Sequence, residues 1–299
     1  MALRWAPIHY QDVDSTGTHA LAGKSDFITR YDFDGNLNGR DNWDHAGQNT
    51  SAAVYYSVLE TSTHYYLTYF FFHPRDWIDH PFFETEHEND GEGVLLVVER
   101  NGTEYGSLVG AVTVAHKDFF SYTPEGSPLT SGAESLDGKL STADFEGVQH
   151  PITAQEAKGH GLKAWPQYDI NGDGVKYYPS LTTAEEPSSA SDSDVRYKLL
   201  DIYGSEGLWT RRSLSELFAS DGTFRGDTSG GCGYVAGQCG TNSANAPWGW
   251  DDGNDGAVAR GEIATDPAKL AAIYFSPASR FSTTYTFNPF KGVGDPNAP

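Results

Sequence analysis

Apolar and polar positions alternate, or gather in short apolar blocks, over the middle of the chain, and this pattern predicts β-strands. We predict four of them, at 53–59, 63–72, 93–100 and 107–116. Asn101-Gly102 between the last two strands is typical of a tight turn, so 93–116 is predicted to be an antiparallel hairpin. Helical patterns are few: a short candidate at 214–219, and a better one at 266–272 with Asp266 as N-cap and Pro267 at the first helical position.

The segments around these strands are rich in turn-forming residues. The chain contains 33 glycines and 15 prolines, and the stretches 124–144 and 180–194 are polar and loop-like. Neither a repeat nor a compositional break divides the chain. We therefore predict one domain over residues 1–299, with a core at 53–178 and a loop-rich C-terminal part at 179–299. The predicted fold class is mainly β: a single-domain antiparallel β-sandwich with long loops and a few short helices.

Composition and charge restrict the classes of function. With 38% apolar and 13% aromatic residues, the chain can bury a substantial core. Its 41 acidic residues outnumber 20 basic ones, for a net charge of −21. Such a surface repels nucleic-acid phosphates and anionic membranes, so we expect no nucleic-acid partner. No apolar run approaches the roughly 20 residues that span a bilayer, so no transmembrane segment is predicted.

Two cysteines, Cys232 and Cys239, lie close together in a glycine-rich segment. They predict a short disulfide, and the alternative is two free thiols in a cytosolic protein. A disulfide, a single methionine and few lysines favour a secreted or extracellular location, although the first residues show no apolar signal segment.

Metal-binding side chains precede the third predicted strand. Asp90 and Glu92 are two positions apart, so on a strand their carboxylates share a face, and His87 can bend to the same point. An imidazole and two carboxylates are suited to a divalent cation. The alternative is a polar strand entry with solvated acids. Antiparallel pairing within the hairpin brings His116 back towards Glu92.

Other loops are also rich in oxygen ligands. Asp169, Asn171 and Asp173 alternate as in the first half of an EF-hand loop, but Ser180 stands where the bidentate acid is expected. This is a second possible metal site, or an Asn/Gly turn. The segments 32–38 and 251–256 are further calcium candidates, or ordinary surface turns. The expected cofactor is a divalent cation, Ca²⁺ or Mg²⁺.

Signatures of nucleophilic catalysis and phosphate binding are missing from the sequence, which contains no Gly-x-Ser-x-Gly and no His-Glu-x-x-His. Two histidines, His116 and His160, lie beside a strand end or between glycines and are candidate acid/base residues near a metal-activated water. The alternative for each is an ordinary polar residue.

Three linked segments carry a family resemblance. An aromatic strand at 69–72 continues into His73-Pro74-Arg75-Asp76, and His87-x-x-Asp90-x-Glu92 then leads into an apolar strand. This order resembles the necrosis- and ethylene-inducing peptide-like cytolysins. It is also similar to the vacuolar protein sorting-associated protein 62 family, in which a strand ending in histidine and a Gly-x-His segment follow, as at 112–116 and 158–161 here. The resemblance covers about residues 53–165.

The resemblance implies a central β-sandwich with a divalent cation in a surface cavity, held by Asp76, His87, Asp90 and Glu92. In the cytolysins the metal supports docking to a sugar head group on target membranes. This chain departs from their motif at three positions, because Glu88, Asn89 and Gly91 replace arginine, histidine and tryptophan. The stretch between Asp76 and His87 is also longer.

Three functions remain open from the sequence. The first is a secreted, cation-binding β-sandwich that recognises a glycan, a glycolipid head group or another small polar ligand, in the manner of the cytolysins. Its loop tryptophans Trp165, Trp248 and Trp250 would stack on sugars, or else pack in the core. The second is a metal-dependent hydrolase or lyase of a polysaccharide or phosphodiester, with His116 or His160 as acid/base. The third is a non-catalytic trafficking-related protein.

Overall fold

The structure is a computed structural model that describes residues 1–78, 86–168, 170, 172–227 and 241–294. The strands are β1 (Ile8–Asp12), β2 (Ala53–Thr61), β3 (His64–Asp76), β4 (His87–Glu99), β5 (Ser107–Ala115), β6 (Asp118–Thr123), β7 (Thr130–Ser131), β8 (Gly138–Lys139), β9 (Thr142–Phe145), β10 (Val148–Gln155), β11 (Leu162–Ala164), β12 (Gly174–Ser180), β13 (Val195–Asp201), β14 (Phe218–Ser220), β15 (Thr223–Phe224), β16 (Phe275–Ser276) and β17 (Tyr285–Phe287). The α-helices are α1 (Ala2–Trp5), α2 (Asn42–His45), α3 (Glu262–Thr265) and α4 (Pro267–Tyr274). Short 3₁₀ segments lie at Leu21–Asp26, Pro247–Gly249, Ala278–Arg280 and Pro289–Lys291.

Strands β2 to β6 form an antiparallel meander, and all four predicted strands belong to it. Three of them are longer than predicted, and β3 and β4 are extended the most. The β3–β4 ladder runs from the His64–Glu99 pair to the Asp76–His87 pair. The polar run that was predicted to precede a strand is therefore itself strand, because its backbone pairs with the aromatic strand β3.

The predicted hairpin at 93–116 is confirmed, since β4 and β5 pair antiparallel. Its connection is longer than the two-residue turn that Asn101-Gly102 indicated. The Asn101 carboxamide accepts a hydrogen bond from the Thr103 N–H at 3.1 Å and donates one to the Ser107 hydroxyl at 2.7 Å. These local bonds build a wider loop in place of the tight turn.

The large sheet has 13 strands, with the order β11-β10-β1-β12-β13-β2-β3-β4-β5-β6-β8 and with β17 and β9 beside β2 and β10. A mainly β fold is confirmed, but the predicted plain antiparallel sandwich is wrong. The sheet is mixed, since β1–β10, β12–β13 and β13–β2 pair in parallel. It also curls, so that β11 near one end packs against β5 near the other. Parallel partners are joined by long crossovers, which local sequence patterns do not reveal.

Both faces of the central strands are buried, with alternate residues in two different clusters. Phe70, Phe72, Leu95 and Val97 face one cluster, which is completed by side chains of the C-terminal part. The residues between them face a second cluster, which includes aromatic side chains of β12 and β13. Segment 241–281 is thus the cover of one face of the sheet. Trp248 and Trp250 belong to this core.

One predicted helix is wrong and the other is confirmed. The stretch 214–219 forms turns followed by β14, whose Phe218 stacks on Phe224 of β15. Helix α4 lies where it was predicted, after Asp266. The Asp266 carboxylate does not cap it and instead accepts a hydrogen bond from the Tyr285 hydroxyl at 2.9 Å. Among the described residues, no helix is long and apolar enough to cross a membrane.

Candidate cation site and the polar cluster beneath it

The cation site expected from the sequence lies where the β3–β4 ladder ends. Asp76 closes β3 and is paired in register with His87, the first residue of β4. Asp76, His87 and Asp90 each offer one ligand atom, and these three atoms lie within 4.8 Å of one another. His87 Nε2 is 3.4 Å from Asp76 Oδ2. Three of the four expected ligands are therefore brought together, and we call this group the acidic cup.

Two glycines fix the face to which the acidic side chains point. Gly91 and Gly93 alternate with Asp90 and Glu92, so they face the opposite side of the sheet. A Cβ atom at Gly91 would lie 2.2 Å from a carbon of the Phe70 ring, and one at Gly93 would lie 2.4 Å from the Trp250 indole. The Trp250 Nε1–H also donates to the Gly91 carbonyl at 2.8 Å. Close packing below the strand thus holds the carboxylates above it.

Glu92, the fourth expected ligand, is buried beside this group without being part of it. Its Oε1 accepts a hydrogen bond from the His116 backbone N–H at 2.9 Å, as the hairpin pairing predicted. Its Oε2 is buried and has no hydrogen-bond partner within the described part of the chain. Burial and the Asp90 and Asp76 carboxylates raise the pKa of Glu92 well above its usual value. A buried oxygen without a partner needs an explanation, and a bound ion would provide one.

His87 is oriented by its own backbone neighbourhood. Its Nδ1–H donates to the Asn89 carbonyl at 2.9 Å, which leaves Nε2 on the side of Asp76. Burial opposes a charge on this ring, but the Asp76 and Asp90 carboxylates outweigh burial and raise the pKa of His87 to about 9. A divalent cation would take over the role of that proton, since a coordinated histidine must be neutral.

A fully buried histidine lies beneath the acidic cup. His160 Nδ1 is 3.0 Å from Asp90 Oδ2, and its Nε2 is 3.1 Å from Asp26 Oδ1. Burial disfavours a charge here, yet hydrogen bonds to the two carboxylates raise the pKa of His160 to about 10. The ring stacks on His73 with 3.7 Å between centroids. His160, predicted as a candidate acid/base, is thus held between two carboxylates and orients Asp90.

Sequence reasoning missed two members of this cluster. Asp26 comes from a 3₁₀ segment far from the motif, and Gln155, on β10, links the His73 ring to the His160 backbone. Gln155 accepts from His73 Nε2 at 3.1 Å and donates to the His160 carbonyl at 2.6 Å. Neither residue lies in a local pattern that would distinguish it from other polar residues.

His116 lies at the rim of the cup. Its side chain is about half exposed, and its Nε2 is 2.9 Å from Glu156 Oε1. The hydrogen bond to Glu156 raises the pKa of His116 above its usual value, against the effect of burial. Glu156, which the sequence did not indicate, is therefore the partner of this histidine.

An acidic cleft adjoins the rim and has a volume of about 450 Å³. It is lined by Asp12, Val13, Asp14, Ser15, Glu156, Ala157, Lys158 and Asp173. Lys158 Nζ pairs with Asp14 at 2.7 Å, and the Lys158 backbone N–H donates to Asp26 at 2.9 Å. Glu156 and Lys158 thus connect the cleft to the polar cluster.

The second possible metal site stays a prediction. Asp169 and Asn171 lie outside the described residues. Asp173 is described, and its carboxylate accepts hydrogen bonds from the Ser15 and Ser191 hydroxyls. Cys232 and Cys239 also lie outside the described residues, so the predicted disulfide stays a prediction as well.

The other oxygen-rich loops each contribute to a small group. Asp34 lies with Asp41 and His45, and loop 251–256 brings Asp252 and Asp255 close to Glu134. In each group the ligand atoms lie within 4.8 Å of one another. These groups are supported by fewer observations than the acidic cup.

The chain matches no protein-family model and no curated protein. It is similar to solved structures, among them "NLPPya in complex with glucosamine", with 14% identity over 83% of this chain and 82% of that one and a TM-score of 0.37. A second is a non-toxic HaNLP3 protein, with 13% identity over 80% of this chain and 81% of that one and a TM-score of 0.33. A third is Necrosis and Ethylene inducing Protein 2 from the causal agent of cocoa's Witches Broom disease, with 15% identity over 55% of this chain and 58% of that one and a TM-score of 0.32. TM-scores this low do not define a site, so the residues above depend on their own geometry. The chain is similar to necrosis- and ethylene-inducing proteins, the group that its sequence motifs resemble.

Proposed function

We propose that this protein binds a divalent cation in the acidic cup, through Asp76, His87, Asp90 and Glu92, and uses it to recognise a glycan. The observation that carries the proposal is the convergence of Asp76, His87 and Asp90 within 4.8 Å. The Asp76 and Asp90 carboxylates favour positive charge at this point, and a divalent cation would supply it in place of the proton on His87.

The donor atoms fit a hard cation. Three carboxylates and one neutral imidazole favour Ca²⁺ or Mg²⁺, and the unused Oε2 of Glu92 would complete the set. His160 supports the site by fixing one oxygen of Asp90, as outer residues commonly do for metal ligands. A cation bound there would offer coordination positions to the hydroxyl oxygens of a sugar.

The adjoining cleft suggests the kind of sugar. Four of its lining residues are carboxylates, Asp12, Asp14, Glu156 and Asp173, against one cation, Lys158. A sugar that carries an ammonium group would complement this lining. We propose an amino sugar, free or in a glycolipid head group, as the ligand. The proposal places the protein outside the cell, in line with the location expected from the sequence.

Cation binding is tested first. Thermal unfolding is followed after chelator treatment and after addition of Ca²⁺, Mg²⁺, Mn²⁺ or Zn²⁺ in turn, together with elemental analysis of the purified protein. One of the cations should stabilise the folded protein by about 2.7 kcal/mol at a hundred times its Kd. Asp76→Asn, at the rim, should lose this increment. Asp144→Asn, an exposed acid on β9, should keep it. An unchanged melting temperature with all four cations would refute the cation site.

Glycan recognition is tested second, by calorimetric titration of the cation-loaded protein. Glucosamine and mannosamine are the probes, and glucose is the neutral control. We expect binding of the amino sugars to be tighter and to disappear with chelator or in Asp76→Asn. Equal binding in the presence of chelator would show that the cation has no part in recognition, even if the cation itself binds.

The arrangement of His116 and Glu156 favours one alternative, a metal-dependent hydrolase. An exposed histidine held by a carboxylate at 2.9 Å is a typical general-base pair. His160 is less suited to that role, because both of its ring nitrogens bond to carboxylates. Release of reducing ends from polysaccharides, lost in His116→Gln and in Asp76→Asn, would establish the enzyme.

A further inference from the structure

We propose that a second cavity, which differs from the acidic cup in chemistry and shares no lining residue with it, binds a small amphipathic carboxylate. The apolar part of this ligand would occupy the cavity, and the carboxylate group of the ligand would pair with Arg4 and Arg196. We call this cavity the arginine cavity. It is lined by Met1, Leu3, Arg4, Tyr105, Phe145, Glu146, Val148, His150, Pro179, Ser180, Leu181, Thr183 and Arg196.

The size and lining of the arginine cavity fit a small apolar molecule. Its volume is about 670 Å³, within the range of about 300–1,000 Å³ that is usual for small-molecule sites. Large apolar side chains that are exposed are few among the described residues, and three of the five line this cavity: Leu3, Tyr105 and Leu181. Leu181 is 56% exposed, the most of the five. Gathered around a concavity, such side chains indicate a ligand.

Arg4 supplies a cation without an acidic partner. Its Nη1–H donates to the Gln149 carbonyl at 2.7 Å, and its guanidinium lies 3.9 Å from the centre of the Trp5 ring. Within the described part of the chain, Arg4 makes no ion pair. Half of the 20 lysines and arginines do make an ion pair with a described acid, so Arg4 belongs to the half that does not. The guanidinium is held in place and keeps donors for an anion.

Arg196 adds a second guanidinium, stacked 4.5 Å over the Phe145 ring. Its carboxylate contacts are weak, since Glu146 is 3.7 Å away and Asp194 is 3.2 Å away, and both acids are largely solvent-exposed. Glu146 is the single carboxylate in the lining. The lining thus holds two arginines and one exposed acid, in contrast to the acidic surplus of the chain as a whole.

A single carboxylate on an apolar chain or ring satisfies both features. A neutral apolar molecule would leave Arg4 without a charged partner, and a small hydrophilic anion would leave the apolar lining exposed. The cavity is concave and of limited volume, which favours a free small molecule over an extended surface.

The test uses octanoate as the probe, titrated into the full-length protein by calorimetry, with 1-octanol and acetate as comparison ligands. Octanoate should bind saturably at one site. The affinity for 1-octanol should be lower by a factor of about ten or more, and acetate should not bind. Arg4→Gln should weaken octanoate binding by about tenfold. Leu181→Ser should weaken it by a smaller factor, because it removes part of the apolar contact.

Matched controls are available on the same chain. Arg212 also stacks on a tryptophan, 4.2 Å from the Trp209 ring, and donates to a carbonyl at 2.7 Å, but it lies outside the cavity. Arg212→Gln should leave octanoate binding unchanged, as should Leu214→Ser, which alters an exposed leucine elsewhere. Chelator should also have no effect, which separates this site from the proposed cation site.

Several results would overturn the inference. Octanoate that fails to saturate, or binds Arg4→Gln as well as the unaltered protein, would exclude the carboxylate–guanidinium pairing. Equal affinity for octanoate and 1-octanol would do the same. Binding to anionic phospholipid vesicles without binding of free octanoate would assign the patch to a membrane surface instead.

Discussion

The two ends of the β3–β4 ladder are equally buried but chemically opposite. At one end Tyr66, Leu67, Leu96 and Val97 are fully enclosed by the two hydrophobic clusters. At the other end the enclosed side chains are polar or ionisable: His73, Asp90, Glu92 and, from a neighbouring loop, His160. The same backbone pairing continues through both ends, with one irregularity in the polar end, where Asn89 has a φ of 61°.

This difference separates the part of the ladder that stabilises the fold from the part that forms the candidate site. Buried apolar side chains stabilise the fold directly, by removal of their surface from water. Buried ionisable groups are unfavourable unless they are paired, so the polar end depends on each of its hydrogen bonds and ion pairs. The apolar end of the ladder is therefore stable by itself. The stability of the polar end depends on its hydrogen bonds and ion pairs, to which a bound cation would add.

The largest effect is expected from His160→Gln. The change removes the protonated imidazole that bonds to both the buried Asp26 and Asp90 carboxylates. We therefore expect the free energy of unfolding in chelator to fall by about 3–5 kcal/mol. The measurement is equilibrium denaturation in urea. His150→Gln is the control, because His150 is also buried but bonds to the Ala6 carbonyl. It should lose only about 1 kcal/mol. Equal losses in the two variants would mean that the charge on His160 does not matter.

At the apolar end, Leu96→Ala should reduce the free energy of unfolding by about 2–5 kcal/mol, since it opens a cavity in a fully buried position. Its increment of stability on cation addition should equal that of the unaltered protein. Denaturation with and without cation measures both. Loss of the cation increment in this variant would show that the two ends are coupled.

Gly91→Ala tests the junction between the two ends. The new Cβ would meet the Phe70 ring at 2.2 Å, so we expect a loss of about 1–3 kcal/mol as the ring is displaced. In Gly47→Ala the nearest side-chain atom is 3.8 Å away, and stability should change by less than about 0.5 kcal/mol. Thermal unfolding distinguishes the two. A tolerated Gly91→Ala would mean that Phe70 does not fix the position of Asp90 and Glu92.

The smallest effect at neutral pH concerns His64, at the apolar end of β3. Burial lowers the pKa of His64 to about 4, and the Glu99 and Arg280 charges nearby act in opposite directions. The unfolded chain then binds a proton below pH 6.5 that the folded chain does not bind until about pH 4. Stability should therefore be full above pH 6.5 and decline as the pH falls towards 4, with a slope of at most about one proton. His64→Gln should reduce that slope, and identical slopes would contradict the assignment.

Much of the candidate site could be predicted because its residues are near in sequence. Asp90 and Glu92 share a face through strand alternation alone, and the hairpin pairing placed His116 against Glu92. Asp76 came from the family resemblance, and the ladder register pairs it with His87. Asp26, Gln155 and Glu156 could not be predicted, because they reach the cluster from distant segments and their own surroundings in the sequence are ordinary.

The sequence by itself determined the central strands, through the alternation of side chains along an extended chain, and it identified the polar run beside the third of them. It also determined helix α4, through Asp266 and Pro267. Only the tertiary structure decided that the sheet is mixed and curled, that the C-terminal segment covers one face, and that His160 lies between two carboxylates. These features include pairings between residues 134, 159 and 190 positions apart, which local patterns do not encode.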